Sequence, residues 1–280
     1  MALLAFAGNS VLCRVALGES TIDASTFTFI RLLSGAVVLL GILQFKGRPN
    51  GLNTKGDWSA SFMLFLYAVT FSFAYLTVET GTGALILFGS VQITIILMSL
   101  ISGNRLLVTE WIGVFIAFGG FVYLVLPGVA TPSVVGFALM AVAGIAWGMY
   151  TLKGRSSTNP LSDTTFNFLR TTPFVLVLII MAVHSSHYSF KGIVLAVLSG
   201  GVASGIGYTI WYMALSGLSA IQAAVVQLFV PIIAALGGVI FMAEPITLRL
   251  SLSSLMILGG ILLVFLGRAY LPQLTVKSNR

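Results

Sequence analysis

The sequence predicts an all-α integral membrane protein, with ten transmembrane helices arranged as two inverted five-helix repeats and both termini cytoplasmic. Three observations carry that prediction. The 280-residue chain is 58% hydrophobic and 8% charged, whereas a soluble domain carries about 25% charged residues. Charges and Gly/Pro clusters divide it into ten apolar stretches, centred roughly on residues 9, 35, 67, 91, 117, 142, 173, 202, 229 and 257, and spans of about 20 apolar residues cross a hydrocarbon core of about 30 Å. A phrase also occurs twice, as Thr26–Arg31 (TFTFIR) and Thr165–Arg170 (TFNFLR). The shift between them is half of the chain to within one residue.

That shift aligns the halves along their length. Arg14 falls on Lys153 at that shift, and Gly81-x-x-Ala84 and Gly119-Gly120 recur as Gly217-x-x-Ala220 and Gly259-Gly260 at shifts within a few residues of it. Five spans per half, an odd number, force the second half to enter the membrane from the opposite face, as in secondary transporters built from inverted repeats. The expected units are a first repeat over residues 1–127, a second over 132–268, and a cytoplasmic tail over 269–280.

Span 1 is short and carries Asn9 at mid-depth. Ala5-Phe6-Ala7 has the form of a signal cleavage site, but no basic residue precedes it and the apolar run continues past it. It is therefore read as a span, and its shortness suggests that native residues precede Met1. Span 2 holds the first copy of the phrase, with Arg31 about two turns in. On span 3, Tyr67, Phe71 and Tyr75 recur every four residues, which places them on one helix face. Glu79 marks the junction with span 4, which carries Gln92. Span 6 presents Trp147 and Tyr150 on one face, and span 7 repeats the phrase with Arg170. Four glycines crowd Ser199–Tyr208 (SGGVASGIGY) in span 8, the first choice for a moving wall, because small residues permit close approach and bending. Ser204, Tyr208, Trp211 and Tyr212 share a face there. Gln227 lies mid-span on span 9, at a place nearly equivalent to that of Gln92 on span 4.

The formal charge of +7 is a topology signal and does not indicate a nucleic-acid partner. Lys46, Arg48, Lys55, Arg105, Lys153, Arg155, Arg268, Lys277 and Arg280 all fall on one side of a ten-span chain. Only Arg14, Lys191 and Arg249 fall on the other. Positive residues favour the cytoplasm, which places both termini inside. Cys13 is alone and excludes an internal disulfide. His184 and His187 form the only histidine pair, with no carboxylate near them in sequence, so no metal is expected. No HExxH, no Gly-rich nucleotide loop and no cluster of acids and histidines at depth is present, so the chain is not expected to be an enzyme or to need a cofactor. The charge rings or repeated filter carbonyls of a channel are missing as well. Without a Walker motif, no ATPase subunit is implied.

Trp147-Gly148-x-Tyr150, the paired Phe-x-Phe-x-Arg phrases, Ala243-Glu244-Pro245 and Gly259-Gly260 resemble the repeats of EamA-type transporters, the ten-helix members of the drug/metabolite transporter superfamily. The likeness runs the length of the chain and is strongest to bacterial aromatic amino acid exporters. It implies export of such compounds across the bacterial inner membrane, with the lipid bilayer and a small-molecule substrate as partners. Gly8-Asn9 stands where the family has Trp-Gly in the first repeat, and Asn104 where a glutamate often follows span 4.

Candidate substrate-binding residues are Asn9, Tyr67, Phe71, Tyr75, Gln92, Trp147, Tyr150, Tyr208, Trp211, Tyr212 and Gln227. Tyr75, Trp211 and Tyr212 lie near span ends, where enrichment at the membrane interface explains them equally well. Asn9, Gln92 and Gln227 must face protein or a wet cavity, since an amide facing lipid would leave hydrogen bonds unmade; the two glutamines either line the cavity or tie helices together. Arg31, Glu79 and Arg170 are gate or structural residues. The guanidinium groups either bond neighbouring carbonyls or attract a substrate carboxylate. All seven acids fall in loops or at span ends, and an amide such as Asn9 cannot titrate. A neutral aromatic cavity therefore fits an amphipathic amino acid moving without an obligatory proton, the alternative being a proton-coupled exporter of cationic drugs.

Overall fold

The structure is a computed structural model, described over residues 1–45, 55–103, 107–126, 132–155, 157–183, 186–215 and 226–278. In a membrane every backbone polar group must be satisfied within the protein, which leaves the helix as the solution for apolar runs of this kind. The described residues form helices and connecting turns; the one sheet-like pairing among them is an isolated bridge between Ile22 and Tyr188. In order, α1 is Ala2–Gly18, α2 Ala24–Phe45, α3 Trp58–Ala74, α4 Thr80–Ile101, α5 Val108–Val125 and α6 Val134–Gly154. Then come α7 (Pro160–Arg170), α8 (Thr172–Ala182), α9 (Phe190–Val197), a π-helical segment (Leu198–Ile206) and α10 (Gly207–Leu215). Finally α11 is Phe229–Met242 and α12 Leu248–Ser278. Among the described residues, six helical stretches are long and apolar enough to cross a membrane, and α1, α3, α5 and α11 are shorter apolar helices.

Local chemistry sets the starts of these helices. Asp57, Ser133, Asn159 and Ser189 each accept a hydrogen bond from a backbone N–H of the first turn of α3, α6, α7 and α9 respectively, the arrangement that satisfies donors left orphaned at a helix start. The apolar stretch Pro160–Ala182 breaks at Thr171, where Pro173 supplies no N–H and the Thr171 hydroxyl donates to Phe168 O at 2.6 Å. In Leu198–Ile206 the helix widens to π geometry, and Ser204 Oγ donates to Ser199 O at 2.9 Å. Gly200 lies here against the Arg31 carbonyl, where any Cβ would collide.

Glycine also controls the pairing of α5 with α12. Gly113 faces the Gly260 carbonyl and Gly260 faces Gly113 O, the close approach that small residues allow between membrane helices. Elsewhere α6 packs on α3 and α4, α1 packs on α11 and on the span containing the π segment, and α2 packs on that segment and on α7.

Loop contacts fix which helix ends lie together. Arg14, near the end of α1, bonds the carbonyl of Tyr75 at the end of α3 and Glu244 just after α11. Thr77 meets Ser133 at the start of α6, and Arg249 in α12 reaches Leu126 O after α5. At the opposite end, Gly56 and Asp57 before α3 bond Asp163 and Asn167 of α7. The end of α1 therefore lies beside the start of α6.

Candidate substrate-binding site

At the centre of the bundle, aromatic side chains from five helices converge. Trp147 of α6 has ring centroids 4.9 Å from Tyr67 of α3 and 4.9 Å from Tyr208 of α10, with Tyr150 at 5.4 Å. Phe6 of α1 touches Tyr208 at 5.9 Å, Trp211 at 5.7 Å and Phe88 of α4 at 6.5 Å. Offset and edge-on ring pairs of this kind contribute about 0.5–1.5 kcal/mol each beyond their burial. The rings enclose a cavity of about 10 Å³ lined by Phe6, Asn9, Tyr67, Phe71, Trp147 and Tyr208 among others. That is about the room of one water molecule, so the cage is closed.

A polar chain runs along its wall. Ser199 Oγ donates to Asn9 Oδ1 at 2.6 Å, Asn9 Nδ2 donates to Tyr67 OH at 3.2 Å, and Arg31 Nη2 donates to the same oxygen at 2.8 Å. The Arg31 guanidinium carbon stacks 4.8 Å from the Phe71 ring and 5.1 Å from the Tyr67 ring. Arg31 is 1% exposed, within the cation–π range for a desolvated pair.

The expected site residues divide. Asn9, Tyr67, Phe71, Trp147 and Tyr208 share the cavity wall. Trp211 packs on Phe6 and is buried, and Tyr75 is wholly buried against Phe71 at 4.8 Å, so neither occupies the outer edge of the bundle that an interface role needs. Gln92 Nε2 donates to Gln227 Oε1 at 3.4 Å; the glutamines meet each other away from the cavity wall and tie α4 to the entry of α11. Tyr150 is buried between the cage and a cleft at one end. The Tyr212 side chain, His184 and Asn104 lie outside the described residues. The two arginines of the repeated phrase differ: Arg170 is half-buried, 5.4 Å above the Trp58 ring, while Arg31 is enclosed in the core.

Sequence reasoning missed Phe6, Ser10 and Phe88 on the wall and Ser199 behind it. Phe6, Asn9 and Ser10 share a face of α1 by helical spacing, a signal available beforehand. It also missed the closure at the end of α1. Arg14 Nε lies 3.1 Å from Glu244 Oε1, Thr80 N donates to Glu244 Oε2 at 2.8 Å, and Arg14 Nη1 donates to Tyr75 O at 2.9 Å. Ala243, in the left-handed conformation (φ 52°), turns Glu244 back over α11, where its N–H bonds Gly238 O. Glu79 stands beside this clasp, and burial, then the Glu244 charge, raises its pKa against the opposing pull of Arg14.

The other end is looser. A cleft of about 350 Å³ opens between Lys55–Ala60, Tyr150–Ser157 and Pro160–Asn167. An exposed ion pair between Lys153 Nζ and Asp57 Oδ2 at 3.1 Å lies on its rim. The Ser59 hydroxyl, and then Lys153, hold the Asp57 carboxyl below the usual carboxylate range. Among the described residues no group of three metal-ligating side chains occurs.

The EamA-like transporter family matches the chain twice, over residues 1–126 and 134–266. An uncharacterized protein of Pseudomonas aeruginosa is 46% identical over 272 residues, spanning 96% of this chain and 94% of that protein. An uncharacterized transporter of Archaeoglobus fulgidus is 26% identical over 252 residues, with 84% of this chain and 85% of that one covered. A solved crystal structure superposes with a TM-score of 0.65 at 17% identity, over 95% of this chain and 98% of that chain, a likeness of fold alone. The descriptions of these relatives state no substrate. With two family matches over nearly its whole length and apolar helices closing around a cage, the chain belongs to the EamA-like transporter family and is a multi-pass membrane transporter.

Proposed function

We propose that the protein is a secondary exporter of amino acids, with aromatic or other neutral amphipathic ones as substrates, working by alternating access in the bacterial inner membrane. In this reading ten helices form two inverted five-helix repeats, residues 1–127 and 132–268, with the termini in the cytoplasm. Its support is the meeting of the end of α1 with the start of α6 and the excess of Lys and Arg at the opposite end. The observation that carries the substrate class is the cage itself. Aromatic faces from Phe6, Tyr67, Trp147 and Tyr208 surround a polar strip of Asn9 and Ser10, with no carboxylate on the wall. Such a wall suits an apolar side chain on a zwitterion.

Alternating access then has two closures of unequal strength. The Arg14–Glu244 clasp shuts the outer end, and the Asp57–Lys153 rim borders the open inner cleft. Proton-coupled export of cations needs an exchangeable carboxylate inside the membrane. The wall places a buried cation, Arg31, behind Tyr67 instead. Purified protein in liposomes loaded with phenylalanine tests the reading, and release is expected without a pH gradient. Flux seen only with an imposed proton gradient, and lost in Glu79→Gln, would transfer the assignment to the proton-coupled exporter of cationic drugs.

A further inference from the structure

Arg31 is a buried cation without a protein counter-ion. The chain has seven acidic side chains, and each is placed away from it. Glu19, Asp57 and Glu244 are in ion pairs with Lys191, Lys153 and Arg14. Asp23, Glu110 and Asp163 accept from backbone N–H groups at helix starts and loops, and Glu79 lies beside Glu244 and Arg14. The guanidinium cannot give up its charge, and a buried charge left without a partner is costly. Its partners are two ring faces and one phenol oxygen, and Nη1 makes no hydrogen bond to the described residues.

We propose that Arg31 anchors the carboxylate of the transported substrate, the Tyr67 hydroxyl holding that place while the cage is closed. Two donors, Arg31 Nη2 at 2.8 Å and Asn9 Nδ2 at 3.2 Å, already converge on the Tyr67 oxygen, as they would on one oxygen of a carboxylate. The second carboxylate oxygen then takes the remaining guanidinium edge at Nη1, the two-point grip that guanidinium offers to carboxylates. The apolar part of the substrate enters the rings of Phe6, Trp147 and Tyr208. No acid on the wall faces the position of an α-ammonium. The class is therefore small amphipathic organic carboxylates, in which the carboxylate is required and the amine is dispensable. A fixed positive charge also works against cationic substrates.

The inference rests on the cage being the transport site, so the test separates the two. Tryptophan fluorescence of the purified protein is titrated with L-phenylalanine, 3-phenylpropionate and L-phenylalaninamide, and phenylalanine counterflow is measured in liposomes. Phenylalanine and 3-phenylpropionate should bind, and the amide, which keeps the amine and lacks the carboxylate, should bind roughly tenfold more weakly or worse, the size of one hydrogen bond to a charged group. Arg31→Gln should abolish that preference. Tyr67→Phe keeps the ring and removes the competing oxygen, so it should tighten 3-phenylpropionate binding, and it decides the matter if Arg31→Gln does not fold. Equal binding of amide and acid, or unchanged carboxylate affinity in Tyr67→Phe, overturns the anchor; phenylalanine counterflow alongside that result leaves the exporter reading intact. Arg31-dependent binding of 3-phenylpropionate without phenylalanine counterflow upholds the anchor and overturns amino acid export. Absence of both binding and counterflow overturns both.

Discussion

Arg14 and Glu244, 230 positions apart in the chain, meet at 3.1 Å and between them bind the ends of α1, α3 and α11 to the first N–H of α4. Four helix ends from both halves depend on one carboxylate and one guanidinium. Both side chains are largely buried, so the pair is screened less than a surface ion pair.

Arg14→Ala and Glu244→Gln should each loosen this end. Removing one member of a fully buried pair costs about 3–5 kcal/mol, and partial exposure here puts the expected loss below that range. A cysteine placed at Ser10, buried one turn before Arg14 on α1, should label faster from outside in both variants. Unchanged labelling in both would show that the clasp does not close the outer end.

Acidity should act on this end and spare the other. The raised Glu79 pKa means that the closed clasp prefers the protonated carboxyl, so closure weakens as pH rises through the Glu79 pKa and strengthens as it falls. Asp57 is shifted downward, so its contribution is present above the ordinary carboxylate pKa and is lost only in stronger acid. Thiol labelling slows in acid in any variant because the thiolate is the reactive form, so the comparison is between backgrounds. As external pH is lowered, labelling at Ser10→Cys should slow more with Glu79 present than in Glu79→Gln. A steeper response in Glu79→Gln would contradict this sign.

Trp147 and Gln227 should behave differently. Trp147→Ala removes the ring that joins Tyr67, Tyr150 and Tyr208, and transport should fall roughly tenfold or more, the loss expected when a wall of differential binding is removed, with protein still in the membrane. Gln227→Ala instead breaks the amide tie to Gln92, which should cost about 1 kcal/mol of stability. Gln92→Ala should cost the same, and the double variant little more. Additive losses in a thermal unfolding series would refute the tie.

Gly200→Ala should fail at the crossing of α2 and the π segment. The new methyl would collide with the Arg31 carbonyl and the Ser34 hydroxyl, and backbone has little room to yield. Overpacking of this kind costs about 1–3 kcal/mol. Gly259→Ala, where nothing lies within 4 Å, is the matched control and should leave the melting temperature within a degree or two, as for substitutions away from packed sites.

Sidedness is open to a labelling experiment. Cysteines at Arg14 and His187 should react with an impermeant reagent from outside the cell, and one at Lys55 only from inside. Reaction of all three from one side would remove the inverted-repeat reading.

The sequence by itself determined the helices and their apolar character, because lipid leaves an apolar chain few ways to satisfy its backbone. Much of the cage was legible for a related reason. Helical spacing puts Tyr67 with Phe71 and Trp147 with Tyr150, and a mid-span amide such as Asn9 must turn inward. Spacing along a helix gives the direction in which a side chain leaves its own axis, but says nothing of what stands opposite. Tertiary packing decided that Gln92 meets Gln227, that Tyr75 and Trp211 belong to the core, and that Arg14 finds Glu244 across the bundle. It also separated two arginines whose hexapeptides match at four of six positions: one is enclosed by Phe71 and Tyr67, the other half-exposed over Trp58. Their local sequence is shared, and their neighbours come from distant spans that the repeat does not make alike.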